Sequence, residues 1–300
     1  MSSVKVAAKE STVVKKSKAS LFLETIKFEH TIFALPFAYI ALFLVSGGWP
    51  SISNLVWITL AMAGARTFGM GVNRIIDARI DAANPRTAQR ALASGKLSMA
   101  EAIAFVAIAF AVFIVAVYQL SEWAGYLWPP VIFMMTVYPY FKRFTWLCHL
   151  GLGLTYLMVP SGVWMAVANE ISLSSVVLSL AAMFWVTGFD LIYACQDVEV
   201  DRKQGLNSLP AKFGVAAGLN IAKVMHVFTV SALAVAGVTL DAGPLYYAGL
   251  ALAAAILFYE HRLVSPKDLS KLNAAFFTMN GVMSVVFLIF VAADVLIGSN

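Results

Sequence analysis

Nine stretches of this chain are apolar over about 20 residues each, the length a helix needs to cross the hydrocarbon core of a bilayer. They fall near residues 23–46, 53–76, 98–119, 124–141, 146–168, 173–197, 215–239, 243–262 and 272–297. In hydrocarbon every backbone N–H and C=O must find its partner inside the segment or in a closed barrel, so stretches this long fold as helices. Composition agrees: 61% of the 300 residues are hydrophobic and 12% charged, with a mean hydropathy of +0.82, values of a polytopic membrane protein. The expected fold class is an all-α membrane protein of nine transmembrane helices in a single bundle. Pro36, Pro139 and Pro160 fall within or near segment ends; kinks there are tolerable where neighbouring helices satisfy the freed backbone groups.

Basic residues set the orientation. Arg79, Arg86, Arg90, Lys96, Lys142, Arg143, Arg202, Lys203, Lys212, Arg262, Lys267 and Lys271 follow the second, fourth, sixth and eighth segments, whereas the alternate connections carry only Glu122, Glu170 and Asp241. By the positive-inside rule the N-terminus is expected in the cytoplasm and the C-terminus outside. The formal charge of +5 belongs to this pattern and predicts no nucleic-acid partner. Residues 1–20, with Lys5, Lys9, Lys15, Lys16 and Lys18 and no cleavage site after a short apolar core, are expected to form a disordered basic tail. Residues 21–300 then make one nine-helix domain. Two cysteines, Cys148 and Cys195, provide neither a disulfide framework nor a zinc spacing.

Two acidic rows stand out against this background. Asn73, Asp77 and Asp81 are spaced by four, and Asp190, Tyr193, Asp197 and Asp201 by three, four and four, so on helices each set lines one face. Each row closes an apolar segment, where the helix dipole is already negative and acids at i, i+4 repel. The arrangement is unfavourable without a cation. Oxygen donors without a Cys or His cluster suit a hard ion such as Mg²⁺, which takes one or two carboxylates and leaves its other positions for water and phosphate. The alternative is that these acids form interfacial salt bridges with Arg74, Arg79 and Arg202. Asp77 and Asp197, like Asp81 and Asp201, lie 120 positions apart on the second and sixth segments, which predicts a parallel pseudo-repeat around one shared site opening to the cytoplasm.

Cations accompany each row. Arg66 lies seven residues before Asn73, two turns deeper on the same face, and either forks an anion or pairs with an acid such as Asp190. Arg86 and Arg90 follow the first row, and Ser208 and Lys212 the second; positive groups and hydroxyls there balance a diphosphate or simply anchor the loops. Lys142 and Arg143, after Tyr138 and Pro139, carry the same ambiguity. His30, beside Glu29 at the start of the first segment, has no second histidine nearby and reads as an interfacial residue.

With these residues in place, the chain resembles the UbiA superfamily of intramembrane prenyltransferases. That family's first motif, Asn-Asp-x-x-Asp-x-x-x-Asp, is matched by Asn73, Asp77 and Asp81, with Arg74 at the second position; its second, Asp-x-x-Tyr-x-x-x-Asp-x-x-x-Asp, is matched in full by Asp190, Tyr193, Asp197 and Asp201. Arg86-Thr87-x-x-Arg90, Tyr138-Pro139-x-x-Lys142-Arg143 and Gly205-x-x-Ser208 match further, while Asn207 stands where the family often has a base. The opening Lys27 to Pro36 run, which contains His30, also resembles the branch usually labelled 4-hydroxybenzoate or menaquinone-pathway prenyltransferases.

The resemblance implies two Mg²⁺ ions held by Asp77, Asp81, Asp197 and Asp201, and a polyprenyl diphosphate bound with Arg86, Arg90, Lys142, Arg143, Ser208, Lys212 and His30. It implies an aromatic acid acceptor near Arg66, with Asp190, Tyr193 and Asn73 as catalytic groups. The acceptor expected is 4-hydroxybenzoate, in respiratory quinone synthesis; a dihydroxynaphthoate of a menaquinone route is the alternative. The bacterial inner membrane is the expected location, with lipid bilayer as surroundings and no obligate protein partner. A reading from another class, a cation-coupled transporter, places acids near helix centres with access from both sides.

Overall fold

In the computed structural model, residues 17–27 and 31–298 are described. Among them no strand occurs, only an isolated bridge between Ser265 and Asp268. The chain forms α1 (Lys18–Thr25), α2 (Thr31–Ser46), α3 (Ile52–Ile76), α4 (Ala78–Ala83), α5 (Met99–Leu120), α6 (Glu122–Tyr126), α7 (Trp128–Phe141), α8 (Cys148–Ala168), α9 (Leu173–Ala194), α10 (Val198–Lys203), α11 (Leu209–Phe213), α12 (Val215–Thr239), α13 (Pro244–Leu263) and α14 (Asn280–Gly298). The N-terminal sixteen residues, and His30 with them, lie outside the described residues. A helix nevertheless begins inside the stretch expected to be tail: Ser17 caps α1 by accepting from the Ser20 amide.

Each of the nine apolar stretches carries one main helix, α2, α3, α5, α7, α8, α9, α12, α13 and α14, the first also taking in the end of α1 and the fourth the end of α6. Six helical runs among the described residues are long and apolar enough to cross a bilayer, at 52–76, 99–120, 148–168, 173–203, 215–239 and 274–298. The other three fall short for local reasons. α2 has 16 residues, α7 has 14 residues, and α13 carries Glu260, His261 and Arg262 in its last turn.

α9 is the centre of the bundle, packed by α8 and α12 and more buried than the other spans. α3 pairs with α5, and α2 and α13 close on α14. Small residues permit these approaches: a Cβ on Gly64 of α3 would sit 2.8 Å from the Phe113 amide of α5, and one on Gly153 of α8 would sit 2.8 Å from the Met183 carbonyl of α9. Beside Pro160 the Ser161 amide donates to Ser179 Oγ of α9 at 3.0 Å, a backbone donor taken up by the neighbouring helix. Phe37 of α2 stacks on Trp185 of α9, centroids 4.6 Å apart.

Candidate active site

Both acidic rows sit at helix breaks, which the even spacing concealed. Asp77 terminates α3, yet its amide still donates to the Asn73 carbonyl (2.9 Å) and its own carbonyl accepts from the Asp81 amide (2.7 Å). The i, i+4 register therefore survives from α3 into α4. In the second row a single 3₁₀ turn, Cys195–Asp197, joins α9 to α10. Asp190 and Tyr193 ride on the long helix, Asp197 on the tight turn and Asp201 on the short helix.

The rows share one cavity of about 470 Å³, within the range of small-molecule sites. Asn73, Asp77, Asp81, Asp190, Tyr193, Asp197 and Asp201 all line it, as do Arg66, Arg86, Arg90, Lys142 and Ser208. From this polar mouth the cavity continues along α3 to Ile58, between apolar walls that include Phe113, Val117, Trp128 and Val131. The nineteen helical rises from Asp77 back to Ile58 amount to about 28 Å of helix.

Of the arginines named in the salt-bridge alternative, Arg74 approaches Asp81 but Arg79 and Arg202 do not pair with the acids, whose main partners are Arg86, Arg90 and Lys142. Arg86 donates to both oxygens of Asp197, Nε at 3.0 Å and Nη2 at 2.6 Å, and to the Tyr193 hydroxyl at 2.9 Å. Asn84 adds a bond to Asp197 at 3.2 Å. Arg90 Nη1 lies 2.7 Å from each oxygen of Asp81, with Arg74 at 3.7 Å, and Lys142 Nζ contacts Asp77. Ser208 Oγ donates to Asp201 at 2.5 Å. Arg202 instead donates to the Ala211 carbonyl, and Arg79 is exposed.

Burial pushes the Asp77 carboxyl above the usual carboxylate range, against the pull of Lys142. For Arg86, burial disfavours the charge, but the bond to Asp197 and the nearness of Tyr193 outweigh it and raise its pKa. One buried oxygen, Asp77 Oδ1, accepts no hydrogen bond. Among the described residues no three of His, Cys, Asp or Glu converge as a ready metal cage. Paired carboxylates and an unsatisfied oxygen fit an ion that completes its shell with phosphate and water.

Deeper in the cavity Arg66 donates to the Tyr156 hydroxyl at 3.4 Å, while its Nε is buried without a partner. It does not pair with Asp190, which is held by His149 at 2.7 Å. Asn73 donates to the Tyr138 hydroxyl at 3.3 Å. Two expected residues stay outside the cavity lining. Arg143 donates to the Ile76 carbonyl at 2.8 Å, 3.9 Å from Asp77, and exposed Lys212 lies over the Phe213 ring.

His149 and Tyr156 were missed by the motif reading. A polar ring inside an apolar segment was the available signal, because such groups are costly at membrane depth and mark sites.

Fold and site together define a multi-pass membrane enzyme whose acidic and basic mouth opens into a long apolar cavity. The chain belongs to the UbiA prenyltransferase family, whose model matches residues 34–282, and its activity is that of a transferase. A 4-hydroxybenzoate octaprenyltransferase of Tolumonas auensis is 30% identical over 247 residues, 82% of this chain and 86% of that protein. One from Photobacterium profundum is 28% identical over 275 residues, 91% of this chain and 96% of that protein. Among solved structures, the apo form of a UbiA homologue from Aeropyrum pernix is 31% identical with a TM-score of 0.81, covering 90% of this chain and 99% of that one. A UbiA homologue from Archaeoglobus fulgidus bound to GPP and Mg²⁺ shares the fold at 19% identity and a TM-score of 0.74, covering 92% and 99%. The transporter reading is set aside.

Proposed function

We propose that this protein transfers a polyprenyl group from polyprenyl diphosphate to 4-hydroxybenzoate, with Mg²⁺, in respiratory quinone synthesis. The observation that carries this reading is the meeting of both acidic rows in one cavity, where Arg86, from the loop after the first row, grips Asp197 of the second. The relatives' names support the acceptor and a long prenyl chain, and the ligands of the Archaeoglobus protein support a metal-bound prenyl diphosphate.

In this reading Asp77, Asp81, Asp197 and Asp201 hold two Mg²⁺ ions, which when bound polarise the diphosphate's C–O bond and offset its charge. Arg86, Arg90 and Lys142, which hold the acidic rows in place, offer their remaining N–H groups to phosphate oxygens, with Ser208 beside them. Arg143 and Lys212 contribute positive charge at the rim. The prenyl tail lies along α3, where apolar walls exclude water from the developing allylic cation. Arg66 presents its unpartnered nitrogen to the acceptor's carboxylate. Asn73 and Tyr193 orient the reactants, and Asp190 takes the proton released from the ring. The apolar stretches support nine membrane passes of a single domain, the distribution of Lys and Arg supports a cytoplasmic N-terminus and a site facing the cytoplasm, and the bacterial relatives support an inner membrane.

Purified protein offered a series of polyprenyl diphosphates with 4-hydroxybenzoate or a dihydroxynaphthoate, in Mg²⁺ or EDTA, tests the proposal. Mg²⁺-dependent prenylated 4-hydroxybenzoate, identified by mass, is the expected product. Prenylation of the dihydroxynaphthoate alone would move the protein to a menaquinone route, and product formation undiminished by EDTA would remove the metal from the scheme.

A further inference from the structure

His149 belongs to neither acidic motif, yet it is the closest partner of Asp190. The residue sits in the first turn of α8, 6% exposed. A ring buried this deeply is costly unless both nitrogens find partners, and both do. The Leu209 amide points at Nε2 from 3.4 Å, and Nδ1 lies 2.7 Å from Asp190 Oδ2. An amide only donates, so Nε2 supplies the lone pair and Nδ1 carries the hydrogen toward the carboxylate.

The Leu209 amide needs that lone pair. It opens α11, where the first N–H groups have no partner within the helix, and the Ser208 cap already serves Ala211. Ser208 also donates to Asp201 at 2.5 Å, so one short segment ties His149 to the far end of the second motif. Asp190 itself lies seven residues before Asp197, about 10 Å deeper along the helix. That depth suits the reacting carbons rather than the diphosphate.

We propose that His149 is a positioning residue for Asp190: by occupying Oδ2 it fixes the carboxylate so that its other oxygen faces the cavity as the acceptor of the ring proton. The inference rests on the transfer reaction proposed above. In that step a ring carbon bonds to the allylic carbon as the C–O bond to diphosphate breaks, its electron pair leaving with the diphosphate. The C–H electrons then restore the aromatic ring, and the proton passes to the Asp190 carboxylate, which becomes a carboxylic acid. A carboxylate free to rotate would perform this transfer less often.

The test compares wild type with His149→Asn, His149→Gln, His149→Leu and Asp190→Asn in full-length protein, using 4-hydroxybenzoate that carries hydrogen or deuterium at the ring positions beside the hydroxyl. An Asn amide can stand in for Nδ1, whereas a Gln amide reaches the Nε2 side. His149→Leu and His149→Gln are expected to lose at least about tenfold in kcat, with an unchanged KM for prenyl diphosphate and a primary deuterium isotope effect larger than that of wild type. His149→Asn is expected to stay within a fewfold of wild type, and adding His149→Leu to Asp190→Asn should cost nothing further. Folded Leu and Gln variants with wild-type kcat, a loss without any rise in the isotope effect, or additive losses in the double variant would each overturn the assignment. Should Leu and Gln not fold, folded His149→Asn decides: near-wild-type turnover supports the role, and a large loss without an isotope effect refutes it. Wild-type protein that prenylates no aromatic acid would instead defeat the underlying reaction.

Discussion

Arg86 reaches across the mouth of the cavity to Asp197, Nε to Oδ1 at 3.0 Å and Nη2 to Oδ2 at 2.6 Å, and so fastens the loop of one half of the molecule to the acidic row of the other. Only a planar fork makes two parallel bonds of this kind. Arg86→Lys keeps the charge but supplies a single point donor, and it loses the bond to Tyr193 as well. The expected result is a fall in kcat/KM of about tenfold or more, read in initial rates across a prenyl diphosphate titration. Wild-type kinetics in the lysine variant would mean that the fork is an incidental feature of the loop.

Asp81 and Asp201 come from different rows and have different partners, Arg90 and Ser208. If both serve metal-bound diphosphate, Asp81→Asn and Asp201→Asn should fail in the same way, each losing at least about 100-fold in kcat. The two variants should also need more Mg²⁺ to reach half their residual rate. Product formation followed against Mg²⁺ concentration checks this, and a variant that keeps its rate and its Mg²⁺ midpoint would remove that acid from the metal site.

Arg66 lies eleven residues before Asp77, about three helical turns from the diphosphate end, and has a buried nitrogen without a partner. Replacing it by Met keeps the stem's packing and deletes the fork. The acceptor KM is expected to rise about tenfold or more, while the KM for prenyl diphosphate stays put. An equal rise in both constants, measured by varying each substrate in turn, would argue for a general disturbance of the cavity.

Much of the bundle could be read in advance because bilayer physics ties length and hydropathy to helix: six of the nine apolar stretches hold helical runs long and apolar enough to cross a bilayer. The acids could be read as rows because i, i+4 spacing survives the break at Asp77 through the Asn73 and Asp81 hydrogen bonds. The breaks themselves could not, since nothing in Ile76-Asp77-Ala78 or Cys195-Gln196-Asp197 resembles a helix stop such as Gly or Pro. Pairings across helices were equally hidden. Arg86 meets a carboxylate 111 positions away and His149 one 41 positions away, and periodicity along one helix is silent about which face of another it meets. Lys212 illustrates the converse: its place beside Ser208 suggested the site, but the short helix α11 turns it outward onto Phe213.

A second polar chain starts at the cavity wall, which Trp185 and Asn280 line, and was also illegible, being built from single residues of four helical segments. Trp185 Nε1 donates to Asn280 Oδ1 at 2.6 Å, Asn280 Nδ2 donates to Glu260 Oε1 at 2.9 Å, and the other Glu260 oxygen lies 3.7 Å from His226 Nδ1. Asn280 is the hinge of this chain, and it follows the π-helical turn Ala274–Met279, a feature that often marks such sites. Asn280→Leu strands the buried indole N–H and the fully buried Glu260 at once. It should therefore destabilise the protein by about 1–3 kcal/mol. Glu260→Gln keeps an amide oxygen for Asn280 and should cost less. Thermal unfolding of the two variants in detergent gives the comparison, and an Asn280→Leu variant as stable as wild type would mean that the chain of hydrogen bonds contributes nothing net to holding α9, α13 and α14 together.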